Sequence, residues 1–229
     1  VIFGGLRRIG TVAEFVVPFM ALGYLLVAVY AIVANIGELP AVIALIFRSA
    51  FGLEPAVGGV VGYGVMQAPQ FGVKRGLFSN EAGMGSAPNA AATATTKHPA
   101  TQGLLQMLGV FVDTIVICSC TAFIILLSGV FTPGDPVKGA ALTQAAVTAH
   151  IGRAGTTFMS FAVFFFALSS IIGNYAYAEG NVEFIRRSKV LVTGFRLLVL
   201  CLVMFGSVAS VPLVWDMAAV SMGFMAVIN

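Results

Sequence analysis

Apolar residues in this chain come in long unbroken runs, not in the alternation of a half-buried strand or the one-sided stripe of a surface helix. Val16–Ala34 is such a run. Leu104–Val130 is another, with Asp113 inside it, and Thr157–Ala178, Val190–Val208 (despite Arg196) and Val211–Ile228 follow. Each reaches or approaches the roughly 20 residues that a helix needs to cross hydrocarbon. Lipid offers nothing to pair with an open strand edge, so the runs predict helices, and their continuity argues against a barrel of alternating strands. Between the first two runs lies Pro55–Thr95, apolar but punctuated by glycines, Pro69 and a polar stretch. As one straight helix it would be about 60 Å long, twice the thickness of the hydrocarbon core, so it is expected to cross once with a break. The pattern therefore predicts an all-α integral membrane protein of about six transmembrane helices, one of them discontinuous. Leu39–Phe51 reads as a short amphipathic helix lying on the membrane, and Phe131–Arg153 as a mild helix folded back as an outer cap.

Composition agrees. Of 229 residues 59% are hydrophobic and 9% charged, against about 25% charged in a soluble domain. The net charge of +3 comes without a Lys/Arg block, so no phosphate-binding face for nucleic acid is expected. Cys118, Cys120 and Cys201 lie in apolar runs without metal-ligand spacing and read as small buried hydrophobes. No nucleophile elbow, zinc motif or phosphate loop is present, and the chain is not expected to be an enzyme. Arg7 and Arg8, Lys97, and the group Arg186, Arg187 and Lys189 fall in loops that one orientation puts on the cytoplasmic side; Arg48, Lys138 and Arg153 are scattered on the other. In that frame Glu14, Glu179 and Glu183 belong near or in the inner loops, and His98 and His150 read as loop residues. The first residue is Val1 and Asn229 ends an apolar run, so the sequence is expected to be a piece of a longer protein.

The polar stretch is GVKRGLFSNEAGMGSAP, Gly72 to Pro88. Gly76, Gly83 and Gly85 supply break points, because glycine adopts backbone conformations that other residues avoid. A helix that unwinds within the membrane frees peptide groups that are costly unless they bind something, and secondary transporters hold substrate and ion at such breaks. The bare alternative is a re-entrant loop or hinge with no ligand.

These residues, with AAATATTKHPATQGLLQMLGVFVDT after them, GGLRRIGTVAEFVVPFMALGYLLVA at the start and VWDMAAVSMGFMAVIN at the end, resemble the alanine/glycine:cation symporter family over nearly the whole chain. The resemblance implies the leucine-transporter-type fold of two inverted five-helix repeats. Residues 1–229 would form a single transmembrane fragment holding the fifth to tenth helices, and the missing N-terminal helices of the same protein would be its first partner. It implies import of alanine or glycine coupled to sodium, or to protons, across a bacterial inner membrane. Setting Gly83-Met84-Gly85 on the family's helix break puts Phe78 and Ser79 in the last turn before it, with Asn80 and Glu81 entering the break and Met84 lining the pocket. Phe78, Ser79, Asn80, Glu81, Gly83, Met84 and Gly85 are then the expected substrate contacts. Ser169 and Ser170 match the paired hydroxyls that hold a sodium ion, to which Ser79 could add a third oxygen; the plain alternative is two helix-packing serines.

Charges inside the apolar runs are functional candidates by default. Asp113 reads either as a proton or cation site or as an acceptor for neighbouring hydroxyls such as Thr114, and Gln106 is a second candidate ligand. Arg75 or Lys74 could pair with Asp216 as an outer gate, or simply snorkel to the interface. The functional expectation is a secondary symporter for a small neutral amino acid. The alternatives are a transporter of the same fold for another small solute, and a channel or non-transporting membrane subunit.

Overall fold

A computed structural model of the chain describes residues 5–50, 72–73, 75–76, 78–81, 83–92, 94–132 and 139–228, with side chains from Ile9 onward. The described residues are helical with no strand among them. Helix α1 is Gly5–Ala34 and α2 is Leu39–Ala50; the residues described between 72 and 80 are helical (α3). Then come α4 (Ser86–Ala92), α5 (Pro99–Phe111), a π-helical turn at Val112–Ile117, α6 (Cys118–Leu127), α7 (Ala140–Ile151), α8 (Arg153–Ile185), α9 (Lys189–Val208) and α10 (Val211–Ile228). Five stretches are long and apolar enough to cross a membrane: Ile9–Ala34, Pro99–Leu127, Arg153–Ile185, Lys189–Val208 and Val211–Ile228. They match the five continuous runs, and the chain is that of a multi-pass membrane protein. The sixth expected crossing, Pro55–Thr95, lies largely outside the described residues. The short helix expected at Leu39–Phe51 is α2, and the helical part of the expected cap is α7.

The chain divides into two compact units. One comprises Val1–Val17, Glu81–Val110 and Ala167–Asn229; the other comprises Pro18–Asn80 and Phe111–Phe166.

In the second unit the core is Tyr24, Ala28 and Ala31 of α1, Ile124 of α6, Ala146 and Val147 of α7, and Met159 of α8. The α1 residues sit four and three apart, so they form one stripe down the helix. Alanines on that stripe let backbones approach closely, as small residues do where lipid gives no hydrophobic drive between helices. The Tyr24 ring meets Phe166 edge-on at 5.9 Å, and its hydroxyl is 2.7 Å from Thr121 Oγ1. Helix α7 turns into α8 at Gly152, whose φ of 66° suits glycine. At Gly155 the two backbones nearly touch: an added Cβ would lie 2.8 Å from the Val147 carbonyl oxygen.

His150 is not a loop residue. It sits in the last turn of α7, because the helix continues to Ile151 and stops only at Gly152. Its Nε2 is 2.9 Å from the Ile124 carbonyl oxygen and its Nδ1 is 3.4 Å from Asn35 Nδ2, while Asn35 Nδ2 also donates to the Ala31 carbonyl at 2.8 Å. With Nε2 as donor and Nδ1 as acceptor, one neutral imidazole ties α7 to the end of α1 and to α6.

In the first unit Ile9 of α1, Ile172 and Tyr175 of α8, and Phe195 and Val199 of α9 pack together. Tyr175 stacks on Phe195 with ring centroids 6.0 Å apart. Helix α8 runs on to Ile185, so Glu179 and Glu183 are helical and not in the loop that the end of the apolar run suggested. A glutamate ends a hydrophobic run, but it is a good helix former and does not end a helix. Glu179 is buried, and its Oε1 accepts a hydrogen bond from Arg196 Nη2 of α9 at 2.7 Å.

Candidate functional site

Helix α3 persists through Asn80 and stops at Glu81. Glu81 has φ 52°, the one positive value outside glycine among the described residues, and Gly83 and Gly85 follow at 80° and 97°. Three left-handed backbones within five residues cannot continue a right-handed helix. A turn closes the gap through the Met84 N–H on the Glu81 carbonyl at 3.1 Å, and helix resumes at Ser86. The break expected around Gly83-Met84-Gly85 is therefore present. It opens at Glu81, one residue later than expected, and Asn80 belongs to the helix before it. Phe78 and Ser79 lie in that last turn, half-buried; Met84 is buried and Glu81 half-buried. Ser86, which sequence reasoning did not single out, is also buried.

The two polar side chains that end α3 face the π turn, within the second unit. Ser79 Oγ donates to Asp113 Oδ2 at 3.0 Å and lies 3.1 Å from Cys118 Sγ. Asn80 Nδ2 donates to Thr114 Oγ1 at 2.7 Å. Two consecutive residues of one helix thus pair with two consecutive residues of another, and all four are half-buried. The π geometry helps: the Cys118 N–H bonds to the Asp113 carbonyl, five residues back, and the wider turn swings Asp113 and Thr114 closer to one face than an α-turn would. Such bulges recur at functional sites. Asp113 is thus an acceptor for a hydroxyl, though from Ser79 and not from its neighbour Thr114. Sequence reasoning found Asp113 but not the π turn, whose only trace is a polar Asp-Thr pair inside an apolar run.

The other candidates are placed as follows. In the first unit Ser169 is half-buried and Ser170 exposed in the middle of α8, Gln106 is half-buried on α5, and Asp216 is exposed on the first turns of α10. In the second unit Arg75 is exposed on α3. Lys74 lies outside the described residues. Among the described residues no three His, Cys, Asp or Glu side chains gather into a metal cluster; hydroxyl and carbonyl oxygens remain as the ligands suited to a hard monovalent cation.

Comparison with known proteins adds a family and several relatives. Residues 1–229 match the family described as the sodium:alanine symporter family. The chain is 51% identical over its whole length to the amino-acid carrier protein AlsT of Bacillus subtilis and 50% identical to the probable sodium/glutamine symporter GlnT of the same organism, covering 48% and 47% of those proteins. It is 39% identical to the sodium/proton-dependent alanine carrier protein of Bacillus sp. (strain PS3), covering 54% of it. The chain thus spans about half the length of the curated relatives it matches.

Proposed function

This chain belongs to the sodium:alanine symporter family, and on that premise we propose that it forms the second half of a cation-coupled importer of a small neutral amino acid, the fifth to tenth helices of the family fold. The observation that carries the reading is the interruption at Glu81–Gly85, with the helix before it tied through Ser79 and Asn80 to a π turn. Peptide groups there stand outside the helical ladder, and in this reading Glu81, Gly83, Met84 and Gly85 take up the zwitterion. A substrate that replaces a lost helical bond stabilises one backbone arrangement, and an ion ordering the same segment couples to it. The ion is sodium, with Ser169 and Ser170 as oxygen donors; the relative named as sodium/proton-dependent supports keeping the proton as a second driver.

Alanine or glycine is the primary substrate. Glutamine is the specific competitor, because the relative named a sodium/glutamine symporter is 50% identical to this chain and the named alanine carrier 39%. The test is counterflow in liposomes holding the full-length protein. Labelled alanine should exchange saturably and need sodium or a proton gradient on the same side. Preference for glutamine would move the reading to another solute of the same fold, and flux without saturation would move it to a channel.

A further inference from the structure

Glu179 is not used by the transport site proposed above, yet it is the more deeply placed member of an ion pair in the first unit. Its side chain is 2% exposed and that of its partner Arg196 is 18% exposed. One carboxylate oxygen, Oε1, takes the Arg196 Nη2–H at 2.7 Å, while Arg196 Nε donates to the Tyr175 hydroxyl at 2.9 Å. The other oxygen, Oε2, is out of contact with solvent and has no hydrogen-bond partner among the described residues. Buried polar atoms are nearly always satisfied, and one that is not points to a missing ligand. Burying an ion pair is costly, and such pairs are best attested where they set a register or a switch.

The space around Oε2 limits what the ligand is. Ile9 of α1, Ile172 of α8, and Phe195 and Val199 of α9 pack about Tyr175. Arg196 on α9 bonds Glu179, and Tyr175 on its own helix bonds Arg196; α1 contributes the apolar Ile9 to the neighbouring cluster, with the side chains of Arg7 and Arg8 outside the described ones, and Glu183, one turn on, is exposed. A carboxyl group can stay buried here in two ways without leaving net charge behind. It is either an anion paired with the guanidinium or a neutral acid with the guanidinium withdrawn. Arg196, the less buried partner, is the one able to withdraw.

We propose that Glu179 is a proton-binding site that exchanges a proton for Arg196. A proton from the aqueous side binds Oε2, the Oε1 bond to Arg196 Nη2 breaks, and the guanidinium keeps its own protons and turns to water. The bonds from Arg196 to Glu179 and to the Tyr175 hydroxyl, both of which join α9 to α8, are then lost, and they are remade when the proton leaves. Any use of this exchange to drive uptake rests on the symport reading; the binding of the proton does not.

Infrared difference spectra of the purified full-length protein, recorded on acidification, test the site directly. A protonated-carboxyl stretch should appear, vanish in Glu179→Gln and shift in frequency in Glu179→Asp, which keeps the carboxyl group and so guards against misfolding of the first variant. Arg196→Gln should show the band before acidification. No band assignable to residue 179 under any condition overturns the proposal and leaves a purely structural ion pair. In liposomes an inward proton gradient should stimulate amino-acid uptake by the wild type, and Glu179→Gln should lose that stimulation while still binding substrate. Stimulation that survives in Glu179→Gln removes the exchange from the driving mechanism.

Discussion

Ser79 and Asn80 are neighbours in sequence, yet they play separable parts. Ser79 gives its proton to a carboxylate, and Asn80 gives one of two amide protons to a hydroxyl. Hydrogen bonds to charged groups contribute about 1.5–3 kcal/mol, and neutral ones about 1 kcal/mol. Ser79→Ala leaves Asp113 short of a donor and should cut substrate affinity at least tenfold; Thr114→Val, which removes the hydroxyl but keeps the shape, should weaken binding several-fold. Equilibrium binding of labelled alanine to the full-length protein checks both, and equal affinities would disconnect the cluster from the substrate. His150 makes a different point. Its two ring nitrogens join three helices, so His150→Ala should lower the unfolding temperature measured in detergent and leave ion dependence unchanged. Neither role was legible beforehand. Asp113 stood out as a charge in an apolar run, but which group it would meet depends on a partner 34 positions away, and His150 looked like punctuation between helices.

Among the elements, the five continuous spans and α2 could be read from hydropathy because lipid imposes one rule on each: pair every peptide group within the segment. The break could be read because Gly83 and Gly85 sit where only a left-handed backbone fits the chain's course. Glu81 carried no such signal, since an acidic residue at φ 52° is held by its surroundings and not by propensity. The π turn was invisible for a related reason: no residue type prefers it. The end of α8 was misjudged because polarity was taken for termination. Glycine substitutions separate the two uses of the residue. At Gly83, with φ 80° and nothing within 4 Å of an added Cβ, Gly83→Ala meets conformational strain alone, about 1–2 kcal/mol. At Gly155 the added methyl meets backbone at 2.8–2.9 Å, which cannot swing aside, so Gly155→Ala should destabilise by about 1–3 kcal/mol. Gly23→Ala meets the Phe158 ring at 3.4 and 3.9 Å, ordinary side-chain contact, and should be near neutral. Thermal unfolding of the three variants in detergent should order them with Gly23→Ala the mildest; a Gly155→Ala protein as stable as wild type would contradict the close approach of α7 and α8.

For the molecule as a whole, the outer surface is the simplest evidence of its solvent. Phe15, Phe19, Phe184, Val208 and Val227 are each more than 75% exposed, and the apolar stretches of α9 and α10 bury almost none of their residues against the described chain. Water would not tolerate such a surface. Expressed protein should stay with the membrane pellet through alkaline carbonate washing and come free only with detergent; release by carbonate would contradict the multi-pass assignment. The π turn also has a consequence for how this architecture can vary. Five-residue bonds spend about one residue more than α-winding for the same advance, so the span Pro99–Leu127 holds a surplus position near Asp113. Deleting one residue there would let the coil tighten to ordinary pitch while Ile124 and Leu127 keep their packing face, whereas the same deletion within α6 would rotate everything beyond it by about 100°. That spot would therefore act as slack in the coil, where the loss of a residue is absorbed before it reaches the packed positions beyond.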